Sequence, residues 1–330
     1  MTCNSKPLLV HDNLSLEMKR RCKCILVFFL MCTGPFLSAQ NERLIIGRTT
    51  GKLAIAKNVT IRTFGFTDSL SGQVTFPGSQ IEAREGDSVS IDFWNISQGN
   101  PVSLYCKEIE FQQRNSENEV MKVKEPIHHM VHGFYSFQAK KAGTYLYYSP
   151  ENYPFNLQAG MFGVLIIRPK ETDSLDHKPS QEMLWCSNEI DTKWHTDAIM
   201  GTAYDVSNKP ILLPLYKPNY FLINGKTTIE NKGLQSFVNK KEKVLLRLVN
   251  SGLYLHEIQF PFDAKLKFIS GSDRNLIVGP NGYKIQLHSG ECLEVFVFLD
   301  QVNEKEKIRY HFIEPISKKV AYKAEIPVFY

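Results

Sequence analysis

The 330-residue sequence predicts an all-β protein made of two sandwich domains, and three observations carry that expectation. From Arg43 onward, short segments of alternating apolar and polar residues recur, separated by turn signals such as Glu85-Gly86-Asp87 and Lys140-Lys-Ala-Gly143. No stretch keeps a helical period over three turns. The aromatic share is 12%, with 21 Phe and 14 Tyr, and flat rings pack well on a pleated surface. The length and a 43% hydrophobic content suffice for two cores of ordinary size.

The elements follow in order. Met18-Lys-Arg-Arg-Cys-Lys23, then Cys24-Ile-Leu-Val-Phe-Phe-Leu-Met-Cys32 and small residues at Ser38-Ala39, read as a secretory leader over 1–39, with Met18 an alternative start. Its apolar run falls short of the roughly 20 residues that span a bilayer, so an exported protein that does not cross the membrane is expected, periplasmic or secreted. Residues 41–169 form the first expected domain, with strands at 57–64, 80–84, 88–94, 134–139 and 144–149. The polar stretch 170–183 is the expected linker. Residues 184–330 form the second domain, with strands at 220–226, 244–250, 254–260, 265–269, 284–288, 293–299, 310–314 and 320–328.

Charge excludes one class of partner. Removing the five basic and two acidic side chains of residues 1–39 leaves 34 basic against 32 acidic, a net of +2. That is no basis for binding nucleic acid, which calls for a clustered basic face. Four of the seven cysteines lie in the leader. Cys106, Cys186 and Cys292 remain, which allows at most one internal disulfide; their wide spacing has no zinc pattern.

Three passages carry a family likeness. They are Phe76-Pro-Gly-Ser-Gln-Ile-Glu-Ala-Arg-Glu-Gly-Asp-Ser-Val89, then Gly143-Thr-Tyr-Leu-Tyr-Tyr-Ser149 with Gly160-Met-Phe-Gly-Val-Leu-Ile-Ile-Arg-Pro169, and Phe221-Leu-Ile-Asn-Gly-Lys226 with Leu246-Arg-Leu-Val-Asn250. In order and spacing the sequence resembles the multicopper oxidases. The resemblance implies two cupredoxin-like Greek-key β-sandwich domains, copper as cofactor and an oxidoreductase activity. It also leaves a homo-oligomer open, because trimeric two-domain relatives build sites across subunits.

The chain departs from that family at its ligands. The oxygen-reducing cluster is held by His-x-His pairs, because residues i and i+2 of a strand present two imidazoles together. No His-x-His occurs here. Tyr105 and Lys107 stand in the first pair's positions, and Tyr148 in the second's. For the mononuclear copper, the cysteine position holds Ser149 and the following histidine position Asn156, while Met161 is kept. A separate candidate is Ile127-His-His-Met-Val-His132. His128, His129 and His132, with Met161 elsewhere, are the residues that could hold copper; zinc would also suit the imidazoles. The alternative for that segment is an exposed polar loop. His256 falls on one strand face with Tyr254, Ile258 and Phe260, the pattern of a hydrogen-bonded core histidine. Trp185 and Trp194 flank the start of the second domain, where packing between domains is the expected role.

Two functions compete. One is a non-catalytic exported protein that keeps the scaffold as a binding or assembly module, its partner unspecified. The other is a copper oxidoreductase with ligands from unusual positions or a neighbouring subunit.

Overall fold

The computed structural model describes residues 41–170, 179–201, 212–228, 234, 243–270, 276–279, 282–303 and 305–328. The expected leader and residues 171–178 of the expected linker lie outside them. Residues Asn41–Tyr330 form one compact unit.

The first half contains β1 (Asn41–Ala56), β2 (Val59–Thr67), β3 (Ile81–Arg84), β4 (Ser88–Asn95), β5 (Tyr105–Cys106), β6 (Gln112–Arg114), β7 (His132–Gln138), β8 (Gly143–Tyr148), a short helix α1 (Phe155–Ala159) and β9 (Phe162–Arg168). They make two sheets, in the orders β2-β1-β4-β7-β6 and β3-β9-β8-β5. The second half contains β10 (Gln181–Ile190), helix α2 (Asp197–Met200), β11 (Tyr220–Ile223), β12 (Lys226–Thr227), β13 (Lys243–Asn250), β14 (Leu255–Gln259), β15 (Lys265–Ser270), β16 (Leu276–Gly279), β17 (Gly282–Leu287), β18 (Cys292–Phe298), β19 (Lys307–Ile313) and β20 (Val320–Pro327). These make a six-stranded sheet, β12-β11-β10-β13-β18-β15, and a five-stranded one, β16-β17-β14-β19-β20. Each half opens alike: β1 pairs parallel with β4, and β10 parallel with β13.

Sequence patterning explains how the layers stack. β4, β7 and β19 bury alternate residues, as strands do with one face in water. β9 (FGVLIIR) and β13 (KVLLRLVN) read as near-continuous apolar runs, and both are buried along almost their whole length. Strands of that kind are covered on both faces. One face of the four-stranded sheet packs on the first core, with Ile81, Tyr147, Leu165 and Ile167 against Ile91, Phe93 and Phe137. Its other face sends Leu146, Val164 and Ile166 into a third cluster shared with Cys186, Ile190, Leu222 and Val249 of the second half. The second half's own core gathers Trp185, Leu246, Leu248 and Val295 against Ile258, Ile285, Tyr310 and Phe312.

A buried ion pair sits at this seam. Arg247 on β13 meets Glu294 on β18, and its Nη1 donates to the Thr144 hydroxyl on β8 at 3.1 Å. Nη2 reaches Glu182 at 3.2 Å, and Glu182 in turn takes Arg168 at 2.8 Å. These charges cross-brace strands of both halves.

Strands β1, β5, β6, β9, β10 and β16 are not among the expected elements, and other details differ as well. Residues 57–58 are a hairpin turn rather than strand, because β1 runs the full way to Ala56 and Asn58 takes φ 60, a conformation asparagine tolerates. β10 starts at Gln181, so residues 181–183 of the expected linker are strand paired with β13. Helices α1 and α2 are too short for periodicity to announce them. Trp194 does bridge, packing in the first core against Phe155 and against Tyr216.

Candidate functional site

The passage from β8 through α1 to β9 brings together the residues at the mononuclear positions. Ser149 follows β8, Asn156 lies in α1, and Met161 follows the helix's end at Gly160, where φ 113 needs glycine. The Ser149 amide donates to the Met161 carbonyl at 3.0 Å, and the Met161 amide to the Asn156 carbonyl at 2.9 Å. All three side chains are buried. The Asn156 amide donates to Ser149 Oγ at 3.0 Å, and the Ser149 hydroxyl donates to Glu151 Oε2 at 2.5 Å.

Two further residues complete the cluster, and sequence reasoning missed both. Glu151 also accepts from the Ser103 amide at 3.0 Å and from the Ser103 hydroxyl. Ser103 sits in the connection between β4 and β5, 48 positions away. No spacing rule marks such a partner.

This donor set does not fit a copper of the blue type. Such a site takes a thiolate and two imidazoles, with a thioether as weak fourth ligand. Here Met161 joins the set only through its backbone, its side chain lying in the first core, while two hydroxyls, an amide and a carboxylate bond one another. The cluster positions do not fit either. Tyr105 pairs with Tyr148 across β5 and β8, and their rings meet edge to face at 5.4 Å. Tyr153 joins at 6.2 Å from Tyr148. Burial pushes the Tyr148 phenol up, and the neighbouring phenols push it further, so it stays protonated. Lys107 is exposed and, as an ammonium, has no lone pair to offer.

Residues 128–131 form a turn, not a helix, with the Val131 amide bonded to the His128 carbonyl and Met130 at φ 62, and His132 opens β7. His128, His129 and His132 are all exposed. His129 Nδ1 lies 2.7 Å from the Ser97 carbonyl. His132 Nδ1 lies 2.7 Å from Asp92 Oδ1, and its ring stacks on Trp94. The two imidazoles are thus tied to different elements, one to the loop after β4 and the other to the β4 surface. Among the described residues no group of three or more His, Cys, Asp or Glu side chains is arranged to hold a metal.

The second half holds a different constellation. Ser187 Oγ lies 2.8 Å from His256 Nδ1, and His256 Nε2 lies 3.4 Å from Glu189 Oε2. The Tyr310 hydroxyl joins Ser187 at 2.5 Å, and Glu189 also accepts from the Leu253 and Tyr254 amides at 2.5 and 3.1 Å. The order serine, imidazole, carboxylate is that of a hydrolase. Here Ser187, His256 and Glu189 are each 0% exposed, so no substrate reaches them. Burial holds His256 below the ordinary imidazole range, against the pull of Glu189. His256 is therefore the core histidine its strand face suggested, and Glu189 is the partner that the pattern left unnamed.

The three cysteines are free thiols. Burial pushes Cys106 up to about 11 and Cys186 up to about 12, which keeps both protonated and poor as nucleophiles or ligands.

Residues 62–172 match the family model of the multicopper oxidases. Among solved structures, the blue copper oxidase of Nitrosomonas europaea is similar at TM-score 0.58 and 20% identity, over 83% of this chain and 79% of that one. The copper nitrite reductase of Nitrosomonas europaea gives 0.59 and 18%, over 88% and 94%. The Cu-containing nitrite reductase of Thermus scotoductus gives 0.59 and 15%, over 88% and 62%. No curated protein matches the chain. At such identities the structural likeness is one of fold. Residues 62–172 are thus similar to the multicopper oxidase family, and the fold of the chain is similar to that of multicopper oxidases and copper nitrite reductases.

Proposed function

We infer that this is an exported multicopper-oxidase-like protein without a working copper oxidase centre, its two sandwich domains kept as a binding or assembly module. The observation that carries the reading is the hydrogen-bonded set Ser149, Asn156, Glu151 and Ser103 at the mononuclear position, where a copper would need a thiolate and imidazoles. The mature protein, produced in an oxidising compartment and exposed to copper, is expected to retain far less than one equivalent and to show no thiolate-to-copper absorption. One equivalent of copper with an intense visible band would overturn this reading.

One observation favours a second reading, a copper-binding protein that uses His128, His129 and His132. At His129 and His132 the Nδ1 faces an acceptor, which places the proton there and leaves Nε2 free, as in ligating histidines. Copper retained without a blue band, and lost on changing the three histidines to alanine, would establish it instead.

A further inference from the structure

We propose that Glu151 is a structural cross-link that takes over, in this chain, the mechanical task a metal ion performs when it ties several segments together. The inference rests on the metal-free reading above and goes beyond it by assigning the replacement.

A metal holds segments because one positive centre draws lone pairs from several of them. The same connectivity appears here with the polarity reversed. One carboxylate draws N–H and O–H groups from the β4–β5 connection, through the Ser103 amide and hydroxyl, and from the end of β8, through the Ser149 hydroxyl. The link passes on from Ser149 to Asn156 in α1, and the Asn156 carbonyl then holds the Met161 amide at the threshold of β9. The carboxylate thus ties the β4–β5 connection to the end of β8 directly, and Ser149 and Asn156 extend the link to α1 and the threshold of β9, next to the point where the β8–β9 ladder ends at Tyr148 and Phe162. Bonds to an ionised acceptor are about twice as strong as neutral ones. The carboxylate is also only half-buried, so water offsets much of the desolvation that a sealed charge would suffer.

The polarity decides what the site can accept. Ser103 and Ser149 turn their hydrogens toward Glu151, and Ser149 Oγ also accepts from the Asn156 amide.

The test combines amide hydrogen exchange with thermal unfolding on the full mature protein, comparing wild type with Glu151→Gln and Ser103→Ala. Glu151→Gln keeps the size and removes the charge, and the Ser149 and Met161 amides are expected to exchange roughly 10-fold faster or more. Ser103→Ala is the milder variant, expected to speed the same amides by less, and it decides the matter should the first not fold. The wild-type melting temperature is expected to be the same in EDTA and in one equivalent of copper. Exchange unchanged in both variants, with melting still indifferent to copper, would overturn the cross-link and leave the metal-free reading intact. A melting temperature lowered by EDTA and raised by copper would overturn both.

Discussion

The two halves place the same device at the same point and then use it differently. β4 ends in Asn95 and β13 in Asn250, each on a strand paired parallel with the first strand of its half. The Asn95 amide donates to the Asn100 and Ile127 carbonyls at 2.7 and 2.6 Å and accepts the Ser97 amide at 2.9 Å. The Asn250 amide donates to the Tyr254 and Leu287 carbonyls at 2.8 and 2.9 Å and accepts the Gly252 amide at 2.9 Å. Beyond this shared turn the chains part. After Asn95 the backbone runs to Ser103, which bonds the half-buried Glu151. After Asn250 it runs to His256, which meets the fully buried Glu189. The difference teaches how freely polar groups can change. At a rim, water completes whatever a replacement leaves open; in a sealed core every donor needs a partner in the protein.

The largest expected effect tests that contrast directly. Glu189→Ala removes the acceptor of a buried and a part-buried amide and of His256, and is expected to cost about 3–5 kcal/mol in urea denaturation. Glu151→Ala should cost about 1–3 kcal/mol by the same measurement, since solvent can reach the groups it frees. Equal costs would break the comparison.

The seam offers a second contrast. Arg247→Met strands the buried carboxylate of Glu294 and should cost about 3–5 kcal/mol, whereas adding Glu294→Leu should restore most of that loss. A double variant no better than the single would show that the brace is more than a matched charge.

Next come the asparagines. Asn95→Ala and Asn250→Ala should each cost about 1–3 kcal/mol, and their effects should add, because the two turns belong to separate sandwiches and share no partner. A strong coupling between them in a double-mutant cycle would mean that the halves unfold as one through these turns.

The smallest effect is a pH dependence. Burial holds His195, His256 and His311 below the ordinary imidazole value of 6.5. Between that value and each folded value the unfolded chain binds the extra proton, so stability is complete above about pH 6.5 and falls as the pH drops below it. The slope is bounded at about 1.4 kcal/mol per pH unit for each imidazole. The lowered carboxylates Glu182 and Glu257 act only beneath their ordinary value of 4.5, whereas Glu108, raised by burial, acts above it in the opposite sense, adding stability toward acid and offsetting part of the histidine slope. Urea midpoints measured between the two ordinary values should decline toward acid for wild type and less steeply for His256→Gln, the second half supplying most of the slope.

Much of the fold was legible because strand signals are local. Turn residues at Gly86 and Gly143 punctuate segments whose apolar alternation matches β4 and β7, and β13 matches the strand expected at 244–250. The start of β10 was not legible, because its first residues are polar and become strand only by pairing with β13. At the candidate site, Ser149, Asn156 and Met161 could be placed only through the family resemblance, and the structure joins them by backbone and side-chain hydrogen bonds. Glu151 and Ser103 could not, since nothing local distinguishes a loop carboxylate from any other.

By itself the sequence determined an all-β chain with no His-x-His pair, because composition, periodicity and side-chain identity are properties of neighbours along the chain. Only the tertiary structure decided that Ser103 closes on Glu151 across 48 positions, and that His256 meets Glu189 across 67. A hydrogen bond needs its two atoms within about 3 Å. Which distant segments come that close is set by how the sheets stack, and a one-dimensional pattern carries no record of it.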